Sequence, residues 1–487
     1  MPEKPRRAVY VLFTVFLIAA PAFASQYPAR ILPPEQAAED VALVRRALET
    51  IHPGYDRYTS RADLDAAFAR LEERVTRPIL DVELYGEVSL LLARIHCDHT
   101  KAELPGALSK YRKENPSHFP FRFRLFDGRM FVESSDPAQA PLERGTEILS
   151  INGVPVRAVL EKIAPAISYD GLTDFVKPAK LEADSDLMGS DFDHFYPIFF
   201  GFPEELRLEI RPRNAAGPRT VTLKPISFQR WTELPWPAVS EGAEFHKTTS
   251  WKMLNPKTAY LRIDTFVNYR NPVEPATVYD PIFRAIRTHG AEHLIVDLRE
   301  NGGGSTDASY GLARYLLDKP FTVTKSVRLK TIRYGDLPKY IQTWGDPKEL
   351  FEPAEEKFTR LADGWFEEKR EEVEQPSPYR FQGKVTVLTG PGNASGSTIL
   401  IARLKDEGRI RTVGQPTGGS AEGPTAGQIF FVKLPNSGIV VRVPTKRSLV
   451  NVANFQPGYG VSPDVEVKPT VEDFLAGRDP VLEAALR

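Results

Sequence analysis

The second half of the chain alternates short apolar runs with helix-like segments, and this alternation constrains its fold most. Three runs have the composition of buried strands, at 259–263, 293–298 and 384–389. Helix-like apolar spacing follows them, at 278–288, 308–317 and 397–405. Strands that alternate with helices build a sheet covered by helices. We therefore predict a layered α/β core within 238–487, with a helical insertion near 335–378, where charged residues are frequent.

The third strand-like run leads into a tight turn of small residues, and a helix follows. The turn reads Gly390-Pro391-Gly392-Asn393-Ala394-Ser395-Gly396. Such a turn lifts a serine hydroxyl out of the sheet, and amides at the start of the next helix face a reacting oxygen. Taken alone, the turn is explained as well by helix capping through Ser395 or Ser397. Ser395 is therefore a candidate nucleophile that needs support from other segments.

Two more domains are predicted ahead of the core, since 487 residues exceed one ordinary domain. Residues 25–115 show helical apolar spacing and predict an N-terminal helical domain. Residues 116–237 begin with strand-like alternation, and Asp127-Gly128 and Asn152-Gly153 are hairpin signals. The run from Gly145 to Gly153 resembles a PDZ domain, although any small β-domain with an Asn-Gly hairpin is the alternative. We predict a PDZ-like domain and linker over 116–237.

Residues 1–24 have the pattern of a signal peptide. Three basic residues precede an apolar stretch, and Ala22 and Ala24 stand at −3 and −1 of a cut before Ser25. An uncleaved anchor is the alternative, although the apolar stretch is short for a bilayer span. We expect cleavage, a periplasmic or secreted protein, and no membrane span after cleavage. The net charge of −1 gives no indication of a nucleic-acid partner.

Four motifs occur in order in the second half of the chain. They are the strand-loop Leu294–Ser305, the turn around Ser395, the segment Gly414–Gly419 with the sequence GQPTGG, and the chain-end segment Gly460–Val467 with the sequence GVSPDVEV. Together they resemble the C-terminal-processing (tail-specific) peptidase family, which includes the tricorn core protease. The resemblance covers the whole mature chain. It implies a multidomain α/β fold with an N-terminal helical domain, a PDZ-like domain and a C-terminal α/β (ClpP/crotonase-like) protease core.

The resemblance also implies site residues. Ser395 would be the nucleophile of a serine peptidase, with one oxyanion donor from the amide of Gly396 and the other from Gly302 and Gly303. The implied reaction is peptide-bond hydrolysis through an acyl-enzyme on polypeptide C-terminal regions. The partner would be a peptide or protein substrate, and no cofactor or metal is implied.

The catalytic base is predicted from a lysine of the family pattern that this chain lacks. Family members with a Ser-Lys dyad carry a lysine about 25 residues after the serine, but that position is Ser420. Tricorn-like members use a histidine at the end of the helical domain, which here is Asp98-His99-Thr100. We predict His99 as base, because imidazole accepts a proton near neutral pH, with His96 as a secondary candidate. The orienting group stays open between Glu422 and Asp98.

Three rival interpretations remain. The lone cysteine, Cys97, could be a nucleophile, but no oxyanion turn surrounds it. A metal site could use His96, His99, Asp98 and His52, although their spacing is weak evidence. A pseudo-protease that binds peptides is favoured by the absent lysine and by the absence of an acid in 454–459. The sequence leaves the oligomeric state and the cleavage preference open.

Overall fold

The structure is a computed structural model that describes residues 27–185, 187–215, 217–237, 242–370 and 373–487. The predicted signal peptide, 1–24, lies outside the described residues. Within the described ranges, no helix combines the length and apolar character needed to cross a membrane.

Helices dominate the first described segment. Its helices are α1 (Pro34–Ile51), α2 (Arg61–Arg74), α3 (Asp81–Ala93) and α4 (Gly106–Glu114). Its short strands are β1 (Ile31–Leu32), β2 (Ile79–Leu80) and β3 (Ala102–Glu103). Strands β1 and β2 pair with each other, whereas β3 leaves the segment and joins a distant sheet. The Ser60 hydroxyl accepts the amide of Asp63 and so caps α2.

A twisted antiparallel sheet follows the helices. Its strands are β4 (Phe121–Phe126), β5 (Arg129–Ser135), β6 (Glu147–Ile151), β7 (Val154–Pro155), β10 (Leu206–Arg211) and β11 (Arg219–Leu223). The order is β11-β10-β6-β5-β4, with β7 on β6. Both predicted hairpin turns are present, because Asp127, Gly128, Asn152 and Gly153 all have positive φ. A PDZ-like identity for this region stays a prediction.

Helices and one small hairpin accompany this sheet. The helices are α5 (Val156–Ile163), α6 (Lys177–Glu182), α7 (Asp191–Phe200) and α8 (Phe228–Thr232). The hairpin consists of β8 (Asp184–Ser185) and β9 (Gly189–Ser190). Phe121, Phe123 and Phe192 are each at most 2% exposed and link strand β4 to helix α7.

The second half contains a mostly parallel six-stranded sheet, which confirms the predicted α/β alternation. Its strands are β12 (Thr249–Asn255), β13 (Thr258–Ile263), β14 (His293–Asp297), β19 (Lys384–Thr389), β20 (Arg411–Gly414) and β23 (Val465–Glu466). Its helices are α9 (Phe245–Thr248), α10 (Pro275–Thr288), α11 (Thr306–Ala313), α13 (Ser395–Asp406), α14 (Val471–Ala476) and α15 (Pro480–Ala485). Because β14 and β19 are parallel neighbours, the loops after both strands meet at one sheet edge.

A third, antiparallel sheet packs beside the parallel one. Its strands are β15 (Thr324–Leu329), β16 (Ile341–Gln342), β17 (Phe358–Arg360), β18 (Phe366–Glu368), β21 (Thr425–Lys433) and β22 (Val440–Val450). Strand β3 from the N-terminal segment pairs with β22 through Ala102↔Val441 and Glu103↔Val440. The first and last thirds of the chain therefore share one sheet.

The helical insertion predicted near 335–378 is wrong in its secondary structure. The region holds strands β16–β18, short 3₁₀ turns and a single α-helix, α12 (Pro347–Phe351), among its described residues. Strands β17 and β18 pair in antiparallel register, with Phe358 opposite Glu368 and Arg360 opposite Phe366. The many charged residues of this region suggested a solvent-exposed helix. The Asp363-Gly364 turn instead closes a polar hairpin.

Candidate active site

Ser395 lies at the junction of strand β19 and helix α13. The strand ends at Thr389, and Ser395 is the first residue of the helix. Its φ of +45° is in the left-handed region, which costs a non-glycine residue about 1–3 kcal/mol. Ala394, before it, is extended at φ −141°. The chain therefore makes a sharp, strained turn that presents the side chain of Ser395 at the end of the sheet.

Asn393 holds this turn to the neighbouring loops. Its side-chain amide donates to the carbonyls of Leu298 and Asn301, and its Oδ1 accepts the amide of Gly390 at 2.9 Å. Its backbone carbonyl accepts the amides of Gly418 and Gly419, at 2.8 and 2.9 Å. Asn393 is fully buried. One side chain and its own backbone thus join three of the four sequence motifs.

The glycine loop after strand β14 packs directly on the Ser395 turn. A side chain at Gly303 would place its Cβ 2.8 Å from Gly396 N and 2.9 Å from Ser395 Cβ, so glycine is required for this approach. The amide of Gly303 already donates to Asn301 Oδ1 at 2.9 Å. Of the predicted oxyanion donors, Gly396 is in the first turn of α13, where amides have no intrahelical partner, and Gly302 is exposed. The amide of Gly303, in contrast, already donates its hydrogen bond to Asn301.

His99 comes to this region because strand β3 begins three residues after it. The amide of Arg442 in strand β22 donates to the carbonyl of Lys101 at 2.9 Å, which fixes the chain beside His99. Thr100 is fully buried, and its hydroxyl bonds to His52 Nε2 at 2.8 Å. The histidine segment is therefore anchored on both sides by the C-terminal sheet and by the helical domain.

Ser395 and His99 line the same cavity, whose volume is about 2360 Å³. The glycines predicted to bind an oxyanion, Gly302, Gly303 and Gly396, also line it. Lys177 is another lining residue, and burial lowers the pKa of its ammonium. The cavity therefore collects a hydroxyl, an imidazole and helix-start amides from segments far apart in the chain.

The two predicted orienting carboxylates have other partners. Glu422 Oε1 lies 3.0 Å from Arg57 Nη2 and accepts the Tyr58 hydroxyl at 2.8 Å. Asp98 Oδ1 accepts Lys180 Nζ at 2.6 Å. Burial opposes ionisation of Asp98, but Lys180 and Lys101 outweigh it and hold its pKa well below the usual value. Both carboxylates pair with cations, and an orienting role for Glu422 or Asp98 stays a prediction.

Three of the rival residues, Cys97, His96 and His52, lie outside the cavity lining. Burial raises the pKa of the Cys97 thiol to about 12, so Cys97 carries almost no thiolate at neutral pH. His96 Nε2 bonds to the Tyr169 hydroxyl at 3.1 Å. His52 uses Nδ1 to accept the amide of Gly54, at 3.0 Å. These contacts occupy the residues that a cysteine nucleophile or the predicted metal set would require.

Asp170 lies behind His99 and was not singled out from the sequence. One carboxylate oxygen of Asp170, one imidazole nitrogen of His99 and Sγ of Cys97 lie within 4.8 Å of one another. Asp170 is 4% exposed, and its Oδ1 accepts the amide of Asp98 at 2.9 Å. The signal in the sequence was the Asp170-Gly171 pair, a turn signal at the start of a segment without clear periodicity.

Comparisons with known proteins show which class of protein this fold and site resemble. Residues 257–467 match the model of peptidase family S41. The matched range contains the glycine loop, the Ser395 turn, the Gly414–Gly419 segment and the Gly460–Val467 segment. The core is therefore similar to peptidase family S41 over this range.

Two curated relatives are similar over part of the chain. The C-terminal processing peptidase, chloroplastic, of Tetradesmus obliquus is 24% identical over 308 residues, which cover 63% of this chain and 52% of that protein. The Probable CtpA-like serine protease of Staphylococcus epidermidis is 22% identical over 184 residues, 37% of this chain and 29% of that protein. The chain thus spans about half or less of the length of these relatives.

Solved structures share the fold over nearly the whole chain. Mature CPAF complexed with lactacystin has a TM-score of 0.64 and 15% identity, covering 93% of this chain and 97% of that one. Mature CPAF alone gives a TM-score of 0.60 and 15% identity, covering 91% and 94%. This similarity establishes a multidomain α/β peptidase fold with several sheets, and at this identity it speaks to the fold alone.

Proposed function

We propose that this protein is an exported serine peptidase that hydrolyses peptide bonds through an acyl-enzyme on Ser395. The observation that carries the proposal is the strained Ser395 turn at the helix start, in one cavity with His99. A left-handed serine between a strand and a helix is the geometry of an activated nucleophile. The helix-start amide of Gly396 supports a developing oxyanion beside it.

The proposed reaction begins when Ser395 Oγ attacks a peptide carbonyl carbon. The Oγ–H proton passes to His99, and the amides at the start of α13 bind the oxyanion. His99 then gives its proton to the leaving amine, and water repeats the sequence on the acyl-enzyme. No metal or cofactor enters these steps.

The substrate class is proposed from the family similarity. A curated relative is a C-terminal processing peptidase, and we extend that substrate class, polypeptide C-terminal regions, to this chain. Peptides that differ only in a free or an amidated C-terminus test this extension. Equal cleavage of both would contradict recognition of the chain end.

A fluorophosphonate probe tests the nucleophile. The wild-type protein is expected to label at Ser395, and Ser395→Ala is expected to abolish labelling. Ser150→Ala is a matched control, because Ser150 is on strand β6 and its hydroxyl donates to Glu209 of strand β10. Persistent labelling of the Ser395→Ala protein would contradict the assignment.

The base is tested by steady-state peptide hydrolysis with two variants. His99→Gln is expected to lower kcat by about 10²-fold or more, because it removes the proton acceptor. Lys177→Met addresses a second cavity-lining candidate, a lysine whose pKa is lowered by burial. A loss confined to Lys177→Met would identify a lysine base and overturn His99.

A peptide-binding pseudo-protease is the second candidate. It is favoured by His99 Nδ1, which is buried and has no hydrogen-bond partner among the described residues. An imidazole without a partner lacks the group that usually fixes its tautomer. A folded wild-type protein that binds peptides but never labels with the probe would establish this alternative.

A further inference from the structure

Two buried polar groups beside the cavity lie close to each other, and each has an atom without a hydrogen-bond partner in the described part of the chain. His99 Nδ1 and Asp170 Oδ2 are both buried and without a hydrogen-bond partner among the described residues. An imidazole nitrogen of His99 and a carboxylate oxygen of Asp170 lie within 4.8 Å of each other. Burial of an unpaired carboxylate oxygen beside an unpaired ring nitrogen is unfavourable unless the two groups bond.

Asp170 is on a short segment that connects the two halves of the site. This connecting segment, residues 168–173, bonds to the histidine side through Ser168 Oγ, which donates to Thr100 O at 2.8 Å, and Gly171 N, which donates to His96 O at 2.9 Å. It bonds to the serine side through Thr173 Oγ1, which donates to Gly418 O at 2.7 Å. The carboxylate is therefore held at a fixed position relative to both His99 and the Ser395 turn.

Among the described residues, Asp170 forms no ion pair within 4.0 Å, although the charge of Lys180 favours its ionised form. Asp98 is paired with Lys180 and Lys101, and Glu422 with Arg57. His52 also faces His99, and burial keeps His52 neutral. Burial raises the pKa of Asp170, and the proximity of His99 opposes this rise. A proton gained by His99 is thus favourable for Asp170, as it is for Asp98, whose pKa His99 also lowers.

We propose that Asp170 is the positioning residue of His99, accepting the Nδ1–H bond so that Nε2 faces the cavity to take the proton of Ser395. This inference rests on the proposed function. During attack, the Ser395 proton moves to Nε2, Oγ bonds to the carbonyl carbon, and Asp170 stabilises the imidazolium without becoming protonated. The two groups move into hydrogen-bond distance when the site is occupied, since catalytic hydrogen bonds tighten in the reacting complex.

Two measurements on Asp170→Asn test the assignment. Asparagine keeps an acceptor for the amide of Asp98 but removes the negative charge. We expect kcat to fall by about 10²-fold or more with little change in KM. In an S395A background, we expect the NMR titration midpoint of His99 to fall by about one pH unit or more, because the imidazolium loses its partner. Asp174→Asn, at an exposed carboxylate shortly after the same segment, is expected to change neither quantity.

The outcomes separate this inference from the proposed function. An unchanged His99 midpoint and kcat in Asp170→Asn would overturn the positioning role, whereas a wild type that never labels would overturn the proposed function. Zn²⁺ provides a further arm, because Cys97, His99 and Asp170 could also ligate a metal. Activation of the wild type by a chelator, with inhibition by stoichiometric Zn²⁺, would assign Asp170 to a metal site instead.

Discussion

At the scale of single residues, Asn393 is the side chain on which most of the site depends. Its amide and carbonyl oxygen satisfy the loop after β14, the turn before α13 and the Gly418–Gly419 segment at once. Asn393 belongs to the serine turn in the sequence, where no role is predicted for it. Its function as a hub follows from contacts across about 90 residues of chain, which spacing within one motif cannot reveal.

Asn393→Ala is expected to destabilise the fold and the site together. Its loss leaves the buried amide of Gly390 and the carbonyls of Leu298 and Asn301 without partners, at about 1–3 kcal/mol for each unsatisfied group. Chemical denaturation is the measurement, with probe labelling of Ser395 in parallel. Asn454→Ala, which removes an exposed bond to Asp406, is the control and should cost little. Full stability of Asn393→Ala would show that the hub is dispensable.

At the scale of elements, Arg299 connects strand β14 to helix α15. Its guanidinium bonds to Asp297 at 2.7 Å and 3.0 Å, and to both carboxylate oxygens of Asp479 at 2.8 Å. Burial opposes ionisation of Asp297, but Arg299 and Tyr260 hold its pKa below the usual value. The Asp-Leu-Arg sequence that pointed to a family thus has a structural role, the attachment of the glycine loop to the chain end.

Arg299→Ala is expected to lower the free energy of unfolding by about 3–5 kcal/mol, because it leaves the carboxylate of Asp297 buried without its cation. Asp479→Asn should cost about 0–1 kcal/mol, since Asp479 is more exposed. Urea denaturation of both variants at pH 7 compares the two effects. Equal losses would show that the pair with Asp479, and not the one with Asp297, carries the stabilisation.

Some secondary-structure elements were predictable from the sequence and others were not. The strand–helix alternation and the Asp127-Gly128 and Asn152-Gly153 hairpins were predictable because they depend on local periodicity and on residues that tolerate positive φ. The insertion near 335–378 was mispredicted because its strands are short and lack a continuous apolar face. Asp170 could not be predicted from the sequence, because its proposed role depends on packing between distant segments.

At the scale of the whole molecule, buried neutral histidines make stability depend on pH. Burial lowers the pKa of His52 from 6.5 to about 3 and lowers that of His118 well below its usual value. Between pH 6.5 and about 3, His52 binds a proton in the unfolded chain but not in the folded chain. The contribution of His52 to the free energy of unfolding therefore falls as the pH is lowered through this range. Burial raises the pKa values of Glu182 and Asp193 to about 7 and 6. These two carboxyl groups therefore make the free energy of unfolding rise as the pH is lowered.

The prediction therefore concerns the difference between the wild type and His52→Gln. Glutamine offers a donor and an acceptor but does not titrate, so the variant should lose less stability on acidification, by up to about 1.4 kcal/mol for each pH unit below 6.5. Thermal unfolding at several pH values measures this difference. His289→Gln is the exposed control. Parallel pH profiles for His52→Gln and the wild type would contradict a neutral buried His52.

The pairing of β3 with β22 has a consequence for the order in which the protein is made. His99 is synthesised early, but the strand that holds its segment ends at Val450, near the end of the chain. If His99 is the base, a chain still in synthesis carries the serine turn but has no place to dock the histidine. The catalytic pair is then completed only when the last strands have formed, and a half-made chain is protected from its own chemistry.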